Sequence, residues 1–270
     1  TIAPARSHEA WLKYLRERQL TEELGWAPSD REYGGWGYAR GVPRKPKPDE
    51  IAPPHLESNL SATLFALEAL RAAKVPDRDP VYAKALTFVK RCQNWEEAPE
   101  RRDPEFDDGG FHFIYADPVR NKAGVAGKDR HGRQRFHSYG STTADGLRAL
   151  LLCGVAPDSP RVKAARAWLE KHFRADAHPG KYAGRYESDR NAVYYYYAAS
   201  VARALRSLGI REVATDEGAV NWSEVLGAKL VGRQRADGSW VNPIELVREN
   251  DPIVATCFAV LALAECERAK

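Results

Sequence analysis

An internal repeat constrains the fold of this chain more than any other feature of its sequence. Three ten-residue segments align without gaps: threonine is third, alanine or glycine is sixth, and Ala-Leu ends each one. They run from Ser61 to Leu70, from Ser141 to Leu150 and from Val254 to Leu263, and a looser fourth copy runs from Val193 to Leu205. Apolar residues recur at helical spacing nearly all round each segment, so we predict four buried helices.

A more amphipathic segment precedes each predicted buried helix, and a turn that combines glycine with an aromatic residue joins the two. Glycine adopts backbone angles that end a helix, and we expect the aromatic ring to pack over the junction. One helix pair cannot bury its apolar face alone, so the pairs must stack. We therefore predict one all-helical domain over 1–270, with helix pairs at 7–75, 80–156, 160–210 and 221–268. The turns are Gly34 to Tyr38, Asp108 to Phe111, Gly180 to Tyr182 and Asp237 to Trp240.

The composition fits a soluble domain with a sizeable core. Hydrophobic residues make up 43% of the chain, and no apolar run approaches the length of about 18 residues that a membrane span needs. The net charge of +4, from 41 basic and 37 acidic residues, is too mixed to indicate a nucleic-acid partner. The chain begins with Thr1 and contains no methionine, so its compartment is unknown and export stays possible. We interpret all four cysteines as small core residues: Cys92, Cys153, Cys257 and Cys266.

The segment from Gln234 to Trp240 matches the Q-x3-G-x-W element that recurs in squalene and hopene cyclases. Phrases around Ser138 to Gly146, Tyr194 to Tyr197 and Asp251 to Thr256 resemble a bacterial group of stand-alone prenyltransferase/squalene-oxidase repeat proteins. This resemblance covers nearly the whole chain and implies an α/α toroid, partial or complete, of repeated helix hairpins. Closed toroids of this class have about six helix pairs. Four visible pairs therefore imply either that amino-terminal repeats were removed or that the chain forms an open arc, and an exposed apolar edge would favour self-association.

The catalytic signatures of the resembling families are broken in this chain. No Asp-x-Asp-Asp element, which protonates the alkene in class II terpenoid cyclases, occurs. The zinc set of protein prenyltransferases needs a cysteine where Leu147 stands and a histidine where Ala255 stands. We therefore expect no metal and no cofactor.

One buried position departs from the repeat. Asp145 stands in the column that Phe65 and Phe258 occupy in the sister segments. It is either an aspartate hydrogen-bonded to Thr142 or a neighbouring helix, or a cavity acid with a raised pKa. The run Tyr194 to Tyr197 puts hydroxyl groups on every face of its helix, which suits core packing or cavity lining.

The longest loops, 41–57, 116–138, 174–190 and 241–250, all lead into a predicted buried helix, so we expect them at one rim. Helix N-termini and the basic side chains of 116–138 favour an anion there, such as a diphosphate, although a charged loop is usually only solvated. Capping alone could also explain the polar residues. The candidate catalytic residues are Asp145 and Asp251, and the candidate ligand contacts are Asn59, Arg135, His137, Tyr139, Thr142 and Tyr196.

Three functions fit these features. The first is binding of an isoprenoid or other apolar ligand in a central cavity, with cyclase-like or prenyltransferase-like chemistry left open. The second is a non-catalytic scaffold for protein interaction. The third is a carbohydrate-active enzyme, because such enzymes also use α/α toroids; it requires two facing carboxylates. The candidates for those carboxylates are Glu57, Asp145, Glu187 and Asp189.

Overall fold

The computed structural model describes residues 5–115, 120–182, 184–215 and 218–269. Helix accounts for 46% and strand for 7% of the chain, which confirms a predominantly helical fold. The described residues form eight α-helices, and two of them lie in each predicted pair, with α1 beginning slightly early. The helices are α1 (Ala5–Arg16), α2 (Leu60–Ala72), α3 (Pro80–Arg91), α4 (Gly140–Leu152), α5 (Pro160–His172), α6 (Tyr194–Ser207), α7 (Trp222–Val231) and α8 (Pro252–Arg268).

Two antiparallel β-hairpins lie where the sequence predicts only loops. Strands β1 (Val125–Lys128) and β2 (Gln134–Phe136) fold back part of the loop 116–138, and residues 116–119 of that loop lie outside the described residues. Strands β3 (Glu212–Thr215) and β4 (Gly218–Asn221) precede α7. The all-helical prediction is therefore right for the class and wrong for these two segments.

The even-numbered helices form an inner row. Extensive contacts join α2 to α4, α4 to α6 and α6 to α8, while α3, α5 and α7 pack against this row. The inner helices are the four segments that the repeat predicts to be buried. None of the helices in the described ranges has the length and apolarity that crossing a bilayer requires.

A hydrogen bond at the same place in three pairs joins the aromatic turn to the inner helix. The backbone N–H of the turn aromatic residue donates to the Oγ1 atom of the repeat threonine. The bonds join Trp36 to Thr63, Phe111 to Thr143 and Trp240 to Thr256, at 3.1, 3.0 and 3.1 Å. The indole N–H groups of Trp36 and Trp240 also donate to the outer-helix carbonyls of Leu15 and Leu230. The predicted packing of the aromatic residue over the junction is thus confirmed in these three pairs.

A glutamine that follows each of these outer helices completes the junction. The side-chain amide of Gln19 donates to the Gly34 carbonyl in its own turn and to the Val81 carbonyl in the next outer helix, α3. Gln93 repeats both bonds, to Gly109 and to Arg161 of α5. These glutamines therefore tie one pair to the next. We call the bonds of these glutamines and threonines the glutamine–threonine junction.

The fourth pair has an uncovered side. Within the described residues, Gln234 donates only to the Gly238 carbonyl of its own turn. On α8, Ile253 is 74% exposed, Val260 is 50% exposed and Cys257 is exposed as well. The predictions that all four repeat helices are buried and that Cys257 is a core residue are therefore wrong, because α8 ends the inner row. Cys92 and Cys266 are buried, as predicted.

Gly146, inside α4, lies where a side chain has no space. A Cβ atom there would stand 2.3 Å from the ring of Phe111. The repeat predicts that small residues in this column let two helices approach closely. At Gly146 the close neighbour is instead the aromatic residue of the turn that precedes α4.

We predict that Gly146→Ala destabilises the protein while Gly227→Ala, in the middle of α7, stabilises it. Alanine favours a helix over glycine by about 1 kcal/mol, and at Gly227 the new Cβ would meet only Cys266, at 3.9 Å. At Gly146 the clash with Phe111 costs about 1–3 kcal/mol and outweighs that gain. Urea denaturation measures both free energies of unfolding. Equal effects of the two substitutions would contradict the packing described for α4.

Candidate functional site

A cavity of about 810 Å³ is lined by residues of all four inner helices. Its wall is mainly apolar and aromatic, and the loops before the inner helices close part of its mouth. Residues of three predicted rim loops, 41–57, 116–138 and 241–250, belong to the lining. The aromatic side chains of the lining are Tyr38, Phe65, Phe113, Tyr139, Tyr196 and Phe258.

Three of these rings come from different inner helices, and the ring of Tyr196 contacts the other two. The ring of Tyr196 in α6 lies 6.4 Å from that of Phe65 in α2 and 5.2 Å from that of Phe258 in α8. The latter pair meets edge to face, an arrangement that aromatic rings prefer. The neighbours Tyr194 and Tyr197 are buried and donate to backbone carbonyls instead. Both interpretations of the tyrosine run therefore hold, each for different residues.

Asp145 lies directly behind this wall and is fully buried. The hydroxyl groups of Tyr196 and Ser61 donate to its Oδ2 atom at 2.6 and 3.0 Å, and the hydroxyl of Ser200 donates to its Oδ1 atom. Ser61 and Tyr196 also line the cavity, so they connect the carboxylate to it. Thr142, the partner considered from the sequence, donates instead to the carbonyls of Phe111 and Tyr139.

Burial raises the pKa of Asp145 to about 6, although its three hydroxyl donors and the charge of Arg203 act in the opposite direction. Donors to a carboxylate stabilise its ionised form. An acid that protonates an alkene must instead hold its proton in a dry pocket. A pKa of about 6 leaves Asp145 mostly ionised at neutral pH, which suits a buried carboxylate that orients hydroxyl groups better than a proton donor to an alkene.

A network of ion pairs continues from Asp145, one turn further along the inner helices. Arg148 of α4 lies 3.9 Å from Asp145 Oδ1 and pairs with Glu68 of α2. Arg203 of α6 lies within 4 Å of both Glu68 and Glu265, so the network reaches α8. Paired charges thus link all four inner helices one turn beyond Asp145.

The mouth of the cavity carries a buried acid, Glu249, that sequence reasoning did not single out. Glu249 is 1% exposed and accepts from the backbone N–H groups of Tyr195 and Tyr196, at 3.0 and 2.8 Å, so it caps the start of α6. Burial raises the pKa of Glu249. Burial lowers the pKa of the nearby Lys122 to about 8, against the attraction of Glu249. Lys122 belongs to the basic loop noted in the sequence, whereas no pattern marks Glu249.

Of the other candidate residues, Tyr139 and Thr142 line the cavity. Asn59 and Asp251 act as N-caps, because their side chains accept from the N–H groups of Ala62 and Ile253, both at 2.9 Å. Neither of these two belongs to the lining, so capping explains both.

The structure separates Arg135 from the cavity. Arg135 lines a different pocket, where its guanidinium group lies 2.6 Å from Asp107 and 3.5 Å from Asp129. His137 lines neither space, and burial lowers its pKa. The basic loop therefore divides between two places, since Arg120 and Lys122 belong to the mouth of the cavity.

The carboxylates considered for sugar chemistry do not meet in this cavity. Glu57 pairs with Arg120, Glu187 pairs with Arg190, and neither of them, nor Asp145 or Asp189, belongs to the lining. Within the part of the chain that the structure describes, no three His, Cys, Asp or Glu side chains are grouped to hold a metal ion.

We predict that Asp145→Asn removes a pH dependence of stability. The folded pKa of about 6 lies above the ordinary 3.8, so the folded chain keeps a proton that the unfolded chain releases, and stability falls as pH rises from 4 to 6. The shift of about two pKa units corresponds to roughly 3 kcal/mol. Urea denaturation should therefore show that the free energy of unfolding of the variant, relative to wild type, rises by about that amount between pH 4 and pH 7.

The exposed carboxyl of Asp158 provides the matched control. The free energy of unfolding of the Asp158→Asn variant should differ from that of wild type by the same amount at pH 4 and pH 7. A constant difference for Asp145→Asn as well would show that its carboxyl is not desolvated in the folded protein.

Comparisons of the chain with protein-family models, with curated proteins and with solved structures found no match. The resemblance seen in the sequence therefore stays a prediction. The function of this protein has to be inferred from the cavity, its aromatic wall and the groups behind and around it.

Proposed function

We propose that this protein is an arc of the α/α-toroid type that binds an isoprenoid, or a similar apolar chain with an anionic head, in the cavity of its inner helices. The observation that carries this proposal is the aromatic wall, in which rings from α2, α6 and α8 face a space of about 810 Å³. Ligand pockets for drug-sized molecules span about 300–1,000 Å³ and are mostly apolar. Aromatic faces also suit the electron-rich double bonds of an isoprenoid chain.

The charges at the mouth support an anionic head group. Three cationic side chains, Arg120, Lys122 and Arg248, belong to the lining, against one acidic side chain, Glu249. Arg120 and Arg248 also pair with Glu57 and Asp251, which lie outside the lining. Glu249 is committed to capping α6, and the mouth lies beside the first turns of the inner helices, where the helix dipole favours negative charge. A diphosphate or carboxylate at this end would leave the chain against the rings.

Asp145 supports a binding role more than a chemical one. It fixes the Tyr196 hydroxyl, and with it the ring that touches both phenylalanines. With a pKa of about 6 it is mostly ionised at neutral pH, so cyclase-like protonation finds no support at this position. The proposal is therefore a binding protein of isoprenoid type, with the sequence resemblance to the prenyltransferase/squalene-oxidase repeat as its second support.

A scaffold function is the second candidate, and the uncovered side of α8 favours it. Ile253, Cys257 and Val260 form an exposed apolar stripe. The equivalent side of the preceding inner helix, α6, is covered by the α7–α8 pair. There the Tyr195 hydroxyl donates to the Val241 carbonyl, and Arg206 donates to Glu265. A repeat helix of a second copy is therefore the partner that fits this stripe, and self-association stays a prediction.

Titration calorimetry with farnesyl diphosphate as the probe tests binding. We predict that Phe258→Ala weakens binding about 5- to 30-fold, because the loss of one buried aromatic contact costs about 1–2 kcal/mol. Val260→Ala, on the same helix but outside the lining, is the matched control and should bind like wild type.

Native mass spectrometry of protein purified from its own host adds an independent readout. A co-purifying polyisoprenoid would support the binding proposal, and the same spectra report whether the protein is a monomer or a dimer. Absence of any lipid, together with equal affinity of Phe258→Ala and wild type, would refute the proposal and leave the scaffold function.

A further inference from the structure

Consecutive helix pairs meet at the aromatic turn, in a contact that occurs twice within the chain. The first glycine of the turn lies against the backbone of the next outer helix. A Cβ atom at Gly34 would collide with the Lys84 carbonyl of α3, and one at Gly109 would stand 2.8 Å from the Ala164 carbonyl oxygen of α5. The side-chain amides of the glutamine–threonine junction cross the same contact and donate to α3 and α5.

The next outer helix also contributes an aromatic ring to this contact. A Cβ atom at Gly35 would stand 2.8 Å from the Phe88 ring, and one at Gly110 would stand 3.0 Å from the Trp168 ring. Both rings are buried. Each ring comes four residues after the carbonyl that covers the turn glycine, so the carbonyl and the ring lie on one face of the helix.

The turn of the fourth pair keeps the receiving half of this contact. Gly238 has a φ of 83°, close to the 90° of Gly34 and the 86° of Gly109. Its Cβ would nevertheless meet no helix in the described residues, only the amide nitrogen of Gln234 at 3.9 Å. Gln234 has its bond within its own turn, and the exposed stripe of α8 belongs to the same pair. The fourth turn is therefore open to a helix.

The first outer helix keeps the other half of the contact. Ala10 and Tyr14 stand nine and five residues before the junction glutamine that follows α1, as Lys84 and Phe88 do before the one that follows α3. Phe88 is fully buried, whereas Tyr14 is 40% exposed and the adjoining Trp11 is 63% exposed. The two exposed rings meet edge to face, with their centres 5.5 Å apart. This face of α1 is therefore built like a buried face but lies open.

A second copy of this chain is the partner that fits both edges. A contact of α8 with another α8 would leave the face of α1 bare and give Gln234 no helix carbonyl. A contact of the fourth pair with α1 uses both open edges, which lie at opposite ends of the inner row and are therefore joined head to tail. Trp11 stands where α3 has the smaller Ala85, so its ring adds apolar area to this contact. Tryptophan and tyrosine are the side chains that most often dominate the binding energy of interfaces.

We propose that copies of this protein associate head to tail, with α1 of one copy on the fourth turn of its partner. Tyr14 packs over the partner's Ser239, which follows Gly238 as Gly35 follows Gly34. The partner's Gln234 donates to the carbonyl of Ser7, near the start of α1. This interface does not depend on the isoprenoid proposal, and it gives the scaffold function a defined surface.

Analytical ultracentrifugation over a range of protein concentrations tests the proposal. Wild type should form dimers or longer assemblies as its concentration rises. Trp11→Arg, at one edge, and Ser239→Arg, at the other, should each weaken self-association by about tenfold or more, because a charge is buried where an interface would form. Ile51→Arg, at a loop residue that is 96% exposed, is the matched control and should associate like wild type.

An equimolar mixture of Trp11→Arg and Ser239→Arg decides whether the contact is head to tail. The mixture should form a heterodimer and nothing larger, because one intact α1 face meets one intact fourth turn. Thermal melts should show that both variants stay folded. Gln234→Ala, at an exposed residue, should also weaken association and replaces Ser239→Arg if that variant does not fold.

Three outcomes would overturn the inference. Wild type that stays monomeric at every concentration shows that the interface does not form, and it leaves the affinity for farnesyl diphosphate as a separate question. Trp11→Arg that associates as strongly as wild type shows that α1 takes no part. A mixture that contains only monomers shows that the two edges do not meet each other.

Discussion

Each inner helix that carries the repeat threonine is fixed to its turn by the threonine hydroxyl, which accepts the backbone N–H of the turn aromatic residue. An unpaired N–H in that place would cost about 1–3 kcal/mol, so the register of the helix against its turn is strongly specified. The glutamine–threonine junction extends this register from one pair to the next. Because α2, α4 and α8 share the threonine bond, the fifth residue of each repeat segment lies in the same region: Phe65, Asp145 and Phe258.

The third pair is held differently, and the site depends on that difference. When Ala204 and Leu205 of α6 are aligned with the Ala-Leu that ends the other segments, Ala198 takes the place of the repeat threonine. Glu249 binds the first N–H groups of α6 instead, and Tyr194 and Tyr197 donate to carbonyls at the end of the α5 segment. The first and fifth positions of the repeat segment in α6 then hold Tyr196 and Ser200, which both donate to Asp145. Helix α6 therefore carries both the contacts that hold the third pair together and the residues that form part of the cavity wall.

The repeat made the helix pairs, the inner row and the departure at Asp145 predictable, because these depend on residue type and spacing alone. Other features depend on where loops fold. Arg135 and Lys122 belong to one basic loop, yet the β1–β2 hairpin directs them to different pockets. Glu249 precedes α8 in sequence but caps α6, a contact that no local pattern encodes. The exposure of α8 depends on what stands beside it rather than on its own sequence, which reads like those of the buried helices.

Carboxyl ¹³C NMR titration of Asp145, assigned by comparison with Asp145→Asn, tests most directly whether a desolvated carboxylate lies behind a ligand cavity. The free protein should show a midpoint near pH 6. Saturation with farnesyl diphosphate should raise that midpoint, because the ligand excludes water from Ser61 and Tyr196 and brings negative charge nearby. A midpoint in the ordinary range of an exposed aspartate, or one that the ligand leaves unchanged, would contradict the placement of Asp145 behind the binding site.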